Sequence, residues 1–232
     1  MEKWKSGLRA AASDARWQAW DSEIQTTVDE YNDHLRDTPR FMSLDWKLIK
    51  AMIWVETGAD SPEWRSKPMQ IGVPGDPGLS SLLSGHEGGD LIISPGWTGR
   101  LTPVTIRTIP AYNIRAGVGY LLTRMADFEY RSTVDARSVE YDVTVKLGDS
   151  LERIAKDQKS TVDILKRLNP SIGHLRSGQT IRCRKGAIRK VITGWRHIST
   201  DSIARRYNGG GDPYYAQKLD YALSLIRAES HR

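Results

Sequence analysis

Apolar residues recur at helical intervals over residues 4–31. Leu8, Ala11, Ala12, Ala15 and Ala19 share one side there and few breakers intervene, so one N-terminal helix packed on a core is expected. Pro39 ends that stretch. A second helix is expected from a cap at Ser43 through Val55. Its apolar positions, Leu44, Leu48, Ile49, Ala51, Met52, Ile53, Trp54 and Val55, cover most of the circumference, so it should be buried on nearly every side. Gly58, just past the last apolar position, reads as its C-terminal cap. From Ser61 to Pro110 the chain is rich in Gly, Pro and Ser, with Pro68, Pro74, Pro77, Pro95 and Pro103 interrupting any long element. That region predicts surface loops suited to a cleft wall. Helical spacing returns over Asn113–Met125 through Ile114, Val118, Leu121, Leu122 and Met125, which implies a second core helix.

The pattern changes between Tyr141 and Cys183. Tyr141-Asp142-Val143-Thr144-Val145 alternates as a strand does, and Asp149-Ser150 can cap a helix holding Leu151, Ile154 and Ala155. Thr161–Leu168 predicts another short helix, and Thr180–Cys183 a closing strand. Helical signals resume at Thr200, with Ile203 and Ala204, and again over Tyr214–Ile226. The expected architecture is therefore mainly α. A discontinuous helical domain, 1–139 and 188–232, carries a small βααβ module at 140–187. A module whose first and last strands pair antiparallel has neighbouring ends, so it can be spliced into a surface loop.

Composition narrows the functional classes. The chain has 232 residues, 39% of them hydrophobic, with eight Trp and nine Tyr, which suits a folded protein with aromatic-lined clefts. The net charge of +6 is uneven, because residues 141–190 hold twelve Lys and Arg against five Asp and Glu. A basic patch of this kind suits water, an anionic polymer or nucleic acid. No zinc-finger spacing, recognition-helix signature or aromatic RNA-binding motif supports nucleic acid. Cys183, the single cysteine, excludes an internal disulfide and is expected to be a small buried apolar residue. No apolar run long enough to span a membrane exists, and no apolar signal region follows Met1-Glu2-Lys3-Trp4-Lys5. Synthesis in the cytoplasm without a signal peptide, and no membrane insertion, are expected. Paired-His metal helices, Gly-rich phosphate loops and nucleophile elbows are absent from the sequence, so neither a metal nor a cofactor is expected.

One residue carries candidate acid chemistry. Glu56 ends the apolar helix and shares a face with Met52 and Ile53 one turn back. Desolvation and the negative end of the helix dipole both disfavour its ionised form, so its pKa should rise toward the range a general acid needs near neutrality. Taken alone, an acidic residue just before a capping Gly is ordinarily a solvated surface group.

The order of segments around Glu56 changes that. Glu56-Thr57 is followed by Pro68-Met69-Gln70-Ile71-Gly72, then Asn113-Ile114-x-Ala116-Gly117-x-x-Tyr120-Leu121, then Ala204-x-x-Tyr207-Asn208-Gly209-Gly210. In this order they resemble the soluble lytic transglycosylase family over roughly residues 40–125 and 195–226. The resemblance implies a lysozyme-like helical domain with a long glycan cleft. It implies that Glu56 is the catalytic acid and base, that Tyr207 orients its carboxyl, and that Thr57, Met69, Gln70, Ile71 and Asn208 line the substrate site. Asn113 matches the Asn that opens the family's later helix, where a structural cap and a sugar contact are both open. The sequence departs from the family at Thr57, usually Ser, and at Lys67-Pro68, usually Gly-Leu. Thr keeps a hydroxyl that can reach a sugar acetamide, while Pro68 alters the backbone options of the cleft loop.

The 141–183 segment carries a second resemblance. Tyr141-x-Val143 followed by Gly148-Asp149-Ser150-Leu151-x-x-Ile154-Ala155, Leu165-x-x-Leu168-Asn169-Pro170, and Leu175-x-x-Gly178-Gln179-x-Ile181 looks like a LysM module. The resemblance implies that Gly148, Asp149, Ser150 and Leu151, with Leu168, Asn169, Pro170 and Ile172, grip GlcNAc-containing chains. A spacer or protein-docking module is the alternative.

Together the resemblances imply a peptidoglycan lytic transglycosylase that cuts between MurNAc and GlcNAc with one Glu and leaves a 1,6-anhydro end. A second carboxylate among Asp76, Glu87 and Asp90 would make it a hydrolase instead, and a protein that only binds the wall is the third possibility. The expected partners are peptidoglycan glycan strands. Action in the periplasm or cell wall without a visible signal peptide is accounted for by specialised export as a type VI antibacterial effector, by a phage tail or lysis role, or by a leader outside this sequence. A cognate immunity protein or a secretion-apparatus component is then a further partner.

Overall fold

The structure, a computed structural model, describes residues 1–229, and the chain divides into two compact units. One is Met1–Asp127 with the segment that begins at Ile192; the other is Phe128–Val191.

In the first unit, α1 (Glu2–Ala12) and α2 (Asp21–Leu35) replace the single expected N-terminal helix. Asp14 causes the break: its side chain accepts the Arg16 N–H and starts a short 3-10 turn, Ala15–Gln18. Helix α2 buries Ile24, Thr27, Val28, Tyr31 and Leu35, a stripe at helical spacing. Helix α3 (Trp46–Glu56) is capped by Asp45, whose carboxylate accepts the Lys47 N–H at 2.9 Å, and not by Ser43. Gly58 ends α3 as expected. Its φ of +71° suits glycine, and a Cβ there would lie 2.7 Å from the Trp17 ring.

The expected loop region contains α4 (Gly78–Leu83), α5 (Gly89–Ile92) and α6 (Pro103–Thr108), each too short for hydrophobic periodicity to announce. Helix α7 (Pro110–Met125) starts before Asn113 and is buried along nearly its whole length. It packs against α2, α4, α5 and α6, and against α10 (Thr200–Arg206). Helix α11 (Tyr215–Glu229) packs on α3 and buries Tyr215, Leu219, Ala222 and Ile226. The α7 hub and the α3/α11 pair hold the two sides of the candidate site.

The second unit contains β2 (Tyr141–Thr144), α8 (Leu151–Asp157), α9 (Val162–Leu168) and β3 (Thr180–Cys183), in the expected order. Strands β2 and β3 pair antiparallel, Tyr141 opposite Cys183 and Val143 opposite Ile181. The core is Val145, Ile154, Ala155, Leu165, Ile181 and Cys183; the lone cysteine is buried as expected. The unit is wider than the expected 140–187 because the chain leaves and re-enters along a ribbon of β1 (Ala126–Val134) and β4 (Gly186–Trp195). Strand β1 has no position buried beyond Ala126, so it lacks the apolar alternation that marks a half-buried strand.

Candidate active site and glycan-binding unit

A cleft of about 240 Å³ opens beside the C-terminal end of α3. Glu56, Met69, Gln70, Ile71, Val73, Asp76, Tyr120, Tyr207 and Asn208 line it. The sequence-predicted residues Glu56, Met69, Gln70, Ile71, Tyr207 and Asn208 thus come together from α3, the following loop and the end of α10.

Glu56 is half-buried, backed by fully buried Met52 and Ile53. Burial pushes its carboxyl up to about 7. A hydrogen bond from Tyr215 opposes that rise, and the negative charges of Asp212 and Asp76 reinforce it. The direction is the one expected from its apolar face. The Tyr215 hydroxyl donates to Glu56 Oε1 at 2.6 Å.

This corrects the expected role of Tyr207. Its hydroxyl donates instead to the Met69 carbonyl at 2.9 Å, and its ring packs 5.5 Å from that of Tyr120. Tyr207 therefore holds the cleft loop, while Tyr215, not singled out from the sequence, touches the acid. Tyr215 was recoverable: extending the apolar stripe of Leu219, Ala222 and Ile226 back by one turn reaches it.

Asn113 is a loop clamp and not a sugar contact. It is fully buried; its Nδ2 donates to the Ile71 and Ile106 carbonyls, each at 2.9 Å, and its Oδ1 accepts the Met69 N–H at 2.9 Å. Three of its four hydrogen-bonding positions are thus used inside the protein. Thr57 bonds within the protein: its hydroxyl donates to the Pro68 carbonyl at 2.6 Å, tying the loop to α3, and the residue is absent from the cleft lining. Gln70 holds a left-handed φ of +55°, a conformation a non-glycine residue keeps only where its surroundings fix it. The Asn113 bonds on either side fix it here, as does its own side chain, which donates to Glu63 at 2.8 Å. Gly117 permits the arrangement, since a Cβ there would meet Met69 Cβ at 2.5 Å.

Asn208 accepts the Asp212 N–H on Oδ1 at 3.0 Å, which orients a side chain that lines the cleft. Of the candidate second carboxylates, Asp76 lies in the cleft and accepts the Gly72 and Gly78 N–H groups at 2.8 and 2.7 Å. Glu87 is paired with Arg124 at 3.1 Å, and Asp90 sits in the first turn of α5. Among the described residues no His, Cys, Asp and Glu cluster is arranged to hold a metal, and no helix is long and apolar enough to cross a membrane.

In the second unit most of the expected glycan-binding positions shape loops. Gly148 has φ +83°, Asp149 accepts the Lys146 N–H at 2.7 Å, and Ser150 caps α8 through the Arg153 N–H. Asn169 donates to the Leu165 and Arg182 carbonyls and accepts the Arg182 N–H, each at 2.8 Å, joining α9 to β3. This occupies Asn169 with the fold. Leu151 and Ile172 pack partly buried on the core, Leu168 is half-buried and Pro170 is exposed.

No curated protein and no solved structure matches the chain. The LysM domain family matches residues 143–183, so the segment from β2 through β3 is a LysM domain and supports a peptidoglycan-binding role for the second unit.

Proposed function

We propose that the chain is a peptidoglycan lytic transglycosylase of lysozyme-like kind, cleaving the β-1,4 bond between MurNAc and GlcNAc with Glu56 as its one acid and base. The observation that carries this reading is a carboxyl held near neutrality, at about 7, bonded by Tyr215 and opening on a cleft. A LysM domain in the same chain supports the substrate class.

With Oε1 accepting from Tyr215, Oε2 is the oxygen left to carry the Glu56 proton. Glu56 donates it to the oxygen linking the two sugars, and that bond breaks to release GlcNAc with a free hydroxyl. The MurNAc acetamide shields the positive charge developing at C1. The Glu56 carboxylate then takes the proton of the C6 hydroxyl as that oxygen bonds to C1, closing a 1,6-anhydro ring. No water is consumed, and Glu56 ends protonated as it began.

One observation favours a second reading. Asp76 lines the same cleft, and a water activated there would make the reaction hydrolytic. Mass spectrometry of fragments released from purified sacculi separates the outcomes, since anhydro ends are one water lighter than reducing ends. Anhydro ends that vanish in Glu56→Gln support the transglycosylase. Reducing ends alone reject it in favour of hydrolysis. Equal sacculus binding with no fragments from either protein leaves a wall-binding protein.

A further inference from the structure

The turn between α10 and α11 holds a charged pair that the cleavage chemistry does not itself require. The Asp212 N–H donates to Asn208 Oδ1 at 3.0 Å. Asp212 Oδ1 accepts the Tyr214 N–H at 2.9 Å, Oδ2 accepts Lys218 Nζ at 2.6 Å, and the Asp212 carbonyl accepts the Tyr215 N–H at 3.1 Å. The Asp212 side chain thus bonds the Tyr214 N–H just ahead of α11 and holds Lys218 on that helix, while its backbone carbonyl takes the first N–H of α11. The residue this turn delivers is Tyr215, only 2% exposed, whose hydroxyl meets Glu56.

We propose that Asp212 and Lys218 are a positioning pair for Glu56: Asp212 sets the start of α11 so that Tyr215 reaches the carboxyl, and Lys218 both holds Asp212 and screens its charge from Glu56. This rests on the reading of Glu56 as the acid. Asn208 links the cleft wall to this turn through its Oδ1.

Several groups act on Glu56 from the elements around it. Tyr215 comes from α11, Asp212, which Lys218 of α11 holds, from the turn before it, Tyr207 from the end of α10 and Asp76 from the loop after α3. The charged residue of α2 nearest α3 in bonding, Asp21, is engaged by Lys50 at 2.8 Å. Asp212 and Asp76 both disfavour the Glu56 anion. Asp76 is held by backbone N–H groups, whereas Asp212 carries a cation, and the Lys218 ammonium keeps the Asp212 carboxyl below its usual range. Removing the two partners therefore moves Glu56 in opposite directions. Neutralising Asp212 removes a negative charge and lowers the Glu56 pKa; removing Lys218 unmasks Asp212 and raises it. Those opposite signs follow from the two charges alone, so the positioning of Tyr215 is read separately, from kcat.

The test is a carboxyl 13C NMR titration of glutamate-labelled full-length protein, with the Glu56 resonance assigned by its loss in Glu56→Gln. Asp212→Asn keeps an acceptor for the Tyr214 N–H, and Lys218→Met keeps the side-chain length. The expected shifts are about half a pH unit each, downward for Asp212→Asn and upward for Lys218→Met. Asp212→Ala, which loses the acceptor for the Tyr214 N–H as well, should lower kcat on soluble glycan fragments beyond Asp212→Asn at equal KM. Glu56 pKa values that move together, or stay fixed in both charge variants, overturn the proposal. The cleavage reading is judged separately: wild-type protein with the opposite shifts but no released fragments loses the enzymatic function and keeps the pair.

Discussion

The hydroxyl of Tyr215, first residue of α11, donates a 2.6 Å hydrogen bond to Oε1 of Glu56, last residue of α3, across 159 positions of sequence. The packing of α3 on α11 makes this contact possible, so the helix pair that builds the core also sets the acid. Burial alone would leave the carboxyl proton with no fixed position. The tyrosine occupies one oxygen and so favours the proton on the other.

Replacing Tyr215 with Phe removes that bond and should move Glu56 further from its ordinary value. A hydrogen bond to a charged group contributes about 1.5–3 kcal/mol, so the Glu56 pKa should rise by about one pH unit or more. Because Glu56 must be protonated to donate, the high-pH limb of kcat/KM expected from the raised carboxyl should move further upward. The plateau should drop by about tenfold as the carboxyl loses its fixed orientation. A pH profile of fragment release reads both effects, and an unmoved limb would contradict the assigned contact.

The raised pKa of Glu56 also predicts how stability depends on pH. An unfolded Glu loses its proton near 4.5 and the folded one near 7, so between those values the native state holds a proton that the unfolded state has released. Stability should therefore fall as pH rises through that window and be level above it, by at most about 3 kcal/mol. Glu56→Gln has no such proton to lose. Urea titrations at pH 4.5 and 8 should show the wild type losing stability relative to Glu56→Gln across this range, and parallel curves would count against a buried acid.

How far these features were legible in the sequence varied with their physical origin. The apolar surround of Glu56 gave both the helix and the sign of the pKa shift, because Met52 and Ile53 are one turn away and need no tertiary information. The order of strand, helix, helix and strand was equally readable, since Ser150 and Thr161 cap their own helices. The roles of Asn113, Thr57, Tyr207 and Asn169 were not, because residue type and spacing say that a polar group is present and not whether it faces a ligand or a carbonyl. Each of the four spends its hydrogen bonds on distant backbone or its own junction. The break at Asp14 went unseen because a helix-compatible alanine run, Ala10–Ala12, precedes it and the competing local bond to the Arg16 N–H carries little signal.

Asn113→Ala should be among the more damaging substitutions in the first unit. It leaves the Met69 N–H and the Ile71 and Ile106 carbonyls without their partner in a fully buried site, at a cost of about 3 kcal/mol. Because the freed segment includes the cleft residues Met69 and Ile71, and Gln70 in its left-handed conformation, activity should fall along with the denaturation midpoint. Chemical denaturation followed by Trp fluorescence, with turnover measured at a temperature where both proteins are folded, reads the two effects separately. A full loss of stability with turnover unchanged would show that the loop keeps its shape without the clamp.

Asn169→Ala should separate wall binding from cleavage. Its side chain makes three hydrogen bonds that join α9 to β3 within the LysM domain, and none of them reaches the cleft residues. Loss of those bonds should loosen the α9–β3 junction and reduce retention on sacculi, because Leu168, Pro170 and Ile172 flank the clamp. The Glu56 cleft is built from α3, the loop after it, α7 and α10, so release of fragments from short soluble glycans should stay within about twofold of the wild type, as expected for sites with no shared partners. Co-sedimentation with sacculi and turnover of soluble fragments, run on the same preparation, decide it. Equal losses in both assays would mean that the second unit supports the cleft itself, and undiminished sedimentation would mean that the first unit holds the wall.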